Sequence, residues 1–308
     1  MNVEPLIDAV DSAAAQIAEL DTRFLLPALV LQLVALALRA FAWRGVLAAA
    51  YPGRRMPLAS VGTAYVTGVA LNAFTPARGG ELAKVAIVRA RVPGTTVPTI
   101  VASLAVVGAL DLVLGGALLL GVWSAGGIPA LPTPGVAVLP IGAGVVAAVA
   151  VATPVVHRLR PELVRRTLAR LAQGFAVLRS PRRYLLTVVP FQLGAWAARI
   201  GVVFLVLSAF NIEATLLMAA LVVVLNGAAT ATPVPGGAGT QQVLATYALY
   251  GAVSVATAVS FSVGLQVGVT VVNTTVGLVA LMLLFRTVRP LTAVASTRAL
   301  VTRSRGED

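Results

Sequence analysis

Cysteine is absent from the 308 residues, and histidine and lysine each occur once, at His157 and Lys84. Without cysteine there is no disulfide framework, no thiol nucleophile and no thiolate metal site. A lone histidine leaves a metal site to scattered carboxylates, so no metal and no cofactor is expected. The run GGAGTQQ lacks the lysine and the preceding strand of a phosphate-binding loop. No Ser–His–acid set stands out either, so the chain is not expected to be an enzyme. Charge is also scarce. Only 11% of the residues are charged, against about 25% in a soluble domain, too few to build a polar shell.

What is present is apolar. With 58% hydrophobic residues and a mean hydropathy of +0.94, most of this chain must have lipid as its solvent. The expectation is one all-α integral membrane unit, a polytopic bundle in the cell membrane. The net charge of +12 would suggest nucleic acid in a soluble protein. Here it is the arginine excess that cytoplasmic loops collect, so nucleic acid is not an expected partner. Residues 1–23 are acidic rather than basic, unlike a signal peptide. Their helical spacing of apolar residues suits an amphipathic segment lying along the interface.

A spanning helix needs about 20 mainly apolar residues. Residues 24–50, 97–124, 135–157, 184–210 and 254–285 qualify. The apolar segments 58–75 and 214–232 instead run into breaks, LNAFTPARGGELAK and LNGAATATPVPGGAGTQQ. Shorter, more polar segments follow at 79–92 and 239–250. The stretch 157–183 holds eight arginines and one glutamate, and the tail from Arg286 holds five arginines. Both are expected in the cytoplasm, as is the loop with Arg54 and Arg55, whereas the uncharged loop 124–135 suits the outside. All basic regions fall inside only if 58–92 and 214–250 are re-entrant hairpins that return to the side they entered from. The acidic N-terminus then lies outside and the C-terminus inside.

The halves resemble each other. LQLVALALR places Gln32 before Arg39, and FQLGAWAAR places Gln192 before Arg199, at the same two-turn spacing. Leu71-Asn72 leads to Pro76 and Gly79-Gly80, as Leu225-Asn226 leads to Pro233, Pro235 and Gly236-Gly237. The matching offsets are nearly constant. This predicts an inverted repeat: 24–124 as the first unit, 125–183 as a connecting span and basic cytoplasmic helix, 184–286 as the second unit, and 287–308 as a basic tail. Interrupted segments at matching places in two halves mark a transporter's binding site.

Pro76 breaks its helix because it lacks an N–H and clashes with the preceding turn. A helix restarting at Gly80 would aim its N–H groups and positive dipole end at the break, an anion site. Arg78 stands beside it, and Glu81 and Lys84 share one helical face and can pair. The plainer alternative is a cytoplasmic loop followed by a surface helix. The second break is uncharged, with Asn226, Pro235, Gly236, Gly237 and Gln242 around it. It is either a place that admits a head group or a tight outer turn. Arg39, Asp111 and Arg199 lie inside spans, where a charge costs on the order of 3 kcal/mol and needs a partner. Asp111 can pair with Arg39 or Arg199, as a structural link or as part of a transport path.

The stretches RAFAWRGVL, NAFTPARGGELAKVAIVRAR and TPVPGGAGTQQ resemble the lysylphosphatidylglycerol synthase transmembrane family over roughly residues 20–290. The run P-x-R-x-G-E-x-x-K, here Pro76, Arg78, Gly80, Glu81 and Lys84, is its most specific part. The resemblance implies re-entrant hairpins and movement of a phospholipid-like molecule between leaflets, with anionic phospholipid head groups as partners. Relatives carry an acidic residue where Gln242 stands, and an acidic–basic pair where Val107 and Gly108 stand. They also begin with a further spanning helix, so a shortened member or a late start site is expected. With no synthetic domain expected after the last span, the expectation is a lipid flippase. The alternatives are a scaffold for an envelope-synthesis enzyme and a transferase acting on lipid-linked sugar.

Overall fold

A computed structural model describes residues 20–75, 79–127, 161–230, 234 and 237–285. The expected interfacial segment up to residue 19, the span 135–157 with His157, and the tail from 286 lie outside the described residues. Within them the chain is helical: α1 (Leu25–Ala50), α2 (Leu58–Asn72), α3 (Gly80–Arg91), α4 (Val97–Ser124), α5 (Pro161–Gly174), α6 (Pro181–Thr187), α7 (Val189–Ala209), α8 (Leu216–Ala229), α9 (Thr240–Ala248) and α10 (Val255–Phe285). Four stretches are long and apolar enough to cross a bilayer: Thr22–Ala50, Val97–Ser124, Pro181–Ala209 and Val255–Phe285. They coincide with four of the five expected spans, because uninterrupted apolar length is what a bilayer demands.

Local signals fix the helix ends. Proline stands in the first turn of α4, α6 and α7, where its missing N–H costs nothing. At the end of α4, Gly126 takes a left-handed φ of 72°, and the Gly127 N–H reaches back to the Val122 carbonyl. α7 closes the same way through Asn211 (φ 55°) and the bond from Ile212 N–H to Leu207 O.

α1 and α7 form the most extensive helix pair. They run antiparallel: Phe41 stacks on Phe191 at 5.6 Å, and Asp21 N–H donates to Ala209 O at 3.0 Å. Small residues allow the approach; a Cβ on Gly45 would lie 2.8 Å from the Thr187 carbonyl. Around this pair the helices exchange partners. α2 packs on α10, and α8 packs on α4. Each side has its own core, one around Trp43, Leu47, Ile87 and Ile100, the other around Leu207, Leu221, Leu249 and Phe261.

α3 runs back along α2, and the two ends of that pair meet. Thr96 N–H donates to the Tyr51 hydroxyl at 2.8 Å, and Arg54 donates to the Pro93 carbonyl. α9 packs on α8, and their outer ends share a small cavity with Ala125–Gly127, lined by Thr215, Leu217, Ala248 and Tyr250. The first pair therefore closes beside the start of α4 and the second beside its end. The basic segment expected at 158–183 appears from Pro161 as α5, a 3₁₀ turn and α6. α5 lies against α4, with Thr99 Oγ1 donating to Arg170 O at 2.9 Å. Arg166, Arg170, Arg179, Arg182 and Arg183 are exposed.

Candidate functional site

At the first break α2 ends at Asn72 and helix resumes at Gly80. The carbonyl of Leu71 accepts from Phe74 N–H, Thr75 N–H and Thr75 Oγ1. Asn72 then works on both sides of the gap. Its Oδ1 accepts the Gly80 N–H at 2.9 Å, and its Nδ2 donates to Glu81 Oε1 at 3.1 Å. The same carboxylate oxygen takes Lys84 Nζ at 2.9 Å. Lys84 is only 4% exposed, and its ammonium lies 4.5 Å from the centre of the Tyr65 ring. The helices cross so closely that a Cβ on Gly80 would sit 2.0 Å from the Gly68 carbonyl. Glycine is therefore required at Gly80 by contact with backbone, not by φ.

Asn72, Gly79, Gly80, Glu81 and Lys84 are thus brought together; Pro76 and Arg78 lie outside the described residues. One detail differs from expectation. The Gly80 N–H, expected to face an anion, is held by Asn72. A partly buried N–H in the first turn of a helix needs an acceptor, and the amide that ends α2 is within reach.

A second cluster sits at the middle of the long helices. Asp111 Oδ1 accepts three donors: Arg39 Nη2 at 2.7 Å, Trp196 Nε1 at 2.9 Å and Gln192 Nε2 at 3.1 Å. The sequence leaves Arg39 and Arg199 as alternative partners for Asp111; the structure selects Arg39. Three charge-assisted or directional bonds to one oxygen offset the cost of a carboxylate at this depth. Arg199 lies over the Trp196 ring, 5.6 Å from its centre. Tyr65 is an electrostatic neighbour of Arg39 as well as the platform for Lys84. Glu81, Lys84, Tyr65, Arg39, Asp111, Trp196 and Arg199 consequently form one continuous track from the first break to α7. Formal charges of opposite sign are adjacent along much of it.

The second break is built from amides and hydroxyls. Thr230 Oγ1 donates to Gly227 O at 2.7 Å, and Gly237 N–H to Val234 O at 3.0 Å. Gln242 Oε1 accepts the Gly239 N–H at 2.7 Å, while its Nε2 donates to Gln266 Oε1 of α10 at 2.8 Å. The Oδ1 of Asn226, the counterpart of Asn72, is buried without a hydrogen-bond partner. Thr232, Pro233, Pro235 and Gly236 lie outside the described residues.

Tyr65, Trp196 and Asn273 do not appear among the sequence-expected site residues, and Gln192 appears only as a mark of the repeat. Gln32 Nε2 donates to Asn273 Oδ1 at 2.8 Å, joining α1 to α10. The available signal was a polar or amphipathic side chain inside an apolar span, which needs a partner there. Among several such residues, spacing alone names no pairs.

The family model described as Lysylphosphatidylglycerol synthase TM region matches residues 9–277. A search of curated proteins finds no match.

Proposed function

Because the chain belongs to the lysylphosphatidylglycerol synthase TM region family, a family of membrane domains in lipid-related proteins, we propose that it moves an anionic phospholipid between leaflets. The reading is transport without covalent chemistry. Its main support is the partly buried track from Glu81 and Lys84 through Tyr65, Arg39 and Asp111 to Arg199. In an apolar bundle such a track is costly unless something polar passes along it. The head group would travel beside the track while its acyl chains remain in the bilayer. Arg78 would receive the phosphate at the first break, being able to grip it with two hydrogen bonds.

The two broken helix pairs are read as re-entrant hairpins of an inverted repeat. Their ends close at opposite ends of α4, and α2–α10 and α8–α4 are reciprocal pairings. With the exposed arginines of α5 and α6 in the cytoplasm, the first hairpin enters from that face and the second from the other.

The test is transport in proteoliposomes. Wild type should carry a fluorescent anionic phospholipid across the bilayer faster than protein-free vesicles do. Arg78→Ala should abolish the difference at equal inserted protein. Unchanged transport in Arg78→Ala removes Arg78 from the path; no transport by wild type removes the reading. A second reading takes the exposed Arg166, Arg170, Arg179, Arg182 and Arg183 as a docking face for an envelope-synthesis enzyme. Reversing those charges would then abolish function, while changes at the breaks would not.

A further inference from the structure

The matching glutamines of α1 and α7 make matching bonds in opposite halves. Gln32 donates to Asn273 of α10, and Gln192 donates to Asp111 of α4. Each bond runs from the first span of one half to the last span of the other. Both bonds are part-buried, each with one shielded partner: Gln192 is 0% and Asn273 9% exposed.

The two bonds belong to different faces. Pro181–Ala209 starts at the end carrying exposed Arg182 and Arg183, and Gln192 lies in its first half. Thr22–Ala50 starts at the opposite end, where Asp21 meets Ala209, and Gln32 lies in its first half. The ion pair behaves differently, since Arg39 and Asp111 come from the same half. Movement of one half against the other leaves that pair intact but must stretch the glutamine bonds. Trp196, one turn along α7 from Gln192, also crosses between halves to the same Asp111 oxygen.

We propose that Gln192–Asp111 and Gln32–Asn273 are the two seals of an occluded state. Opening the route toward the basic end breaks the first and keeps the second; opening toward the other end does the reverse. Gln32, Gln192 and Asn273 are then positioning residues. A single interhelical hydrogen bond in a bilayer is weak enough to be exchanged in every cycle. The basic-end seal has two donors on a carboxylate, and the other has one donor on an amide. Since bonds to an ionised acceptor are the stronger kind, the two faces are closed unequally. This inference rests on the transport reading for its purpose, but its test does not use transport.

The naturally cysteine-free chain permits two single reporters in reconstituted full-length protein, Val107→Cys and Val269→Cys. Each stands one turn before a seal acceptor, on the side of the face that the seal closes. Labelling by a membrane-impermeant maleimide is then followed from each face. Gln192→Leu should raise labelling at 107 several-fold and leave 269 unchanged or slower. Gln32→Leu should do the opposite. Asn273→Asp retains the acceptor and adds charge, so it should slow labelling at 269. A variant that has merely lost its fold cannot produce that change. If each substitution moves both reporters alike, or neither, the seals are overturned. If the reporters respond in opposite senses while wild type moves no lipid, the seals stand and the transport reading fails.

Discussion

The two helix breaks occupy matching places in the two halves and close their backbone by different chemistry. At the first, Asn72 caps Gly80 and holds Glu81, which holds Lys84, which rests on Tyr65. At the second, Gln242 caps Gly239 and reaches Gln266, while the Oδ1 of Asn226 stays without a partner. One break is a knot of charges closed against a backbone crossing. The other is a chain of neutral amides with an acceptor to spare. The same inequality recurs between the long helices, where Asp111 serves one half and Asn273 the other. On the proposed reading of the halves as a repeat, charge is concentrated on one side, which suits the proposed path that receives an anion from one face.

The comparison can be broken most sharply at the mid-span acceptors. Asp111→Ala strands the Arg39 guanidinium and should cost about 3–5 kcal/mol. Asn273→Ala loses one neutral bond and should cost about 1 kcal/mol. Denaturation in detergent measures both, and equal losses would mean that Arg39 does not depend on Asp111. At the breaks, Gly80→Ala must push apart the Gly68 carbonyl and Asn72, which should cost about 3 kcal/mol as overpacking. Gly239→Ala meets open space and pays only for a left-handed φ of 79°, about 1–2 kcal/mol. A melting comparison in one detergent separates them. The smallest contrast is between the asparagines. Asn72→Ala uncaps Gly80 and should cost about 1–2 kcal/mol. Asn226→Ala removes an unpaired buried oxygen and should be neutral or slightly stabilising by the same melting assay. A loss at Asn226 as large as at Asn72 would erase the difference between the breaks.

Much of this was legible in the sequence. Apolar runs of bilayer length gave the long helices, and LNAFTPARGGELAK located the first break because a proline at the end of an apolar run is followed there by paired glycines and a cluster of charges. The repeat pattern of Gln32–Arg39 and Gln192–Arg199 was visible, but not what the glutamines bond. The i,i+3 spacing of Glu81 and Lys84 foretold their salt bridge, since both residues belong to one helix. Asp111 was a different matter. Two arginines at similar depth were equally good candidates, and the packing of α1, α4 and α7 chose Arg39. Tyr65 was hidden for the same reason, as its role comes from facing Lys84 and Arg39 at once.

By itself the sequence determined that this chain lives in lipid, where its helices run and where they must stop. Those properties follow from transfer free energy and backbone sterics, which act within a segment. Only the tertiary structure decided that Asn72 occupies the Gly80 amide, that Asp111 holds Arg39, and that each half bonds into the last span of the other. Such pairings depend on which helix faces which, a choice settled by close contacts such as Gly45 on Thr187 and Gly68 on Gly80, between residues far from or merely near one another in sequence.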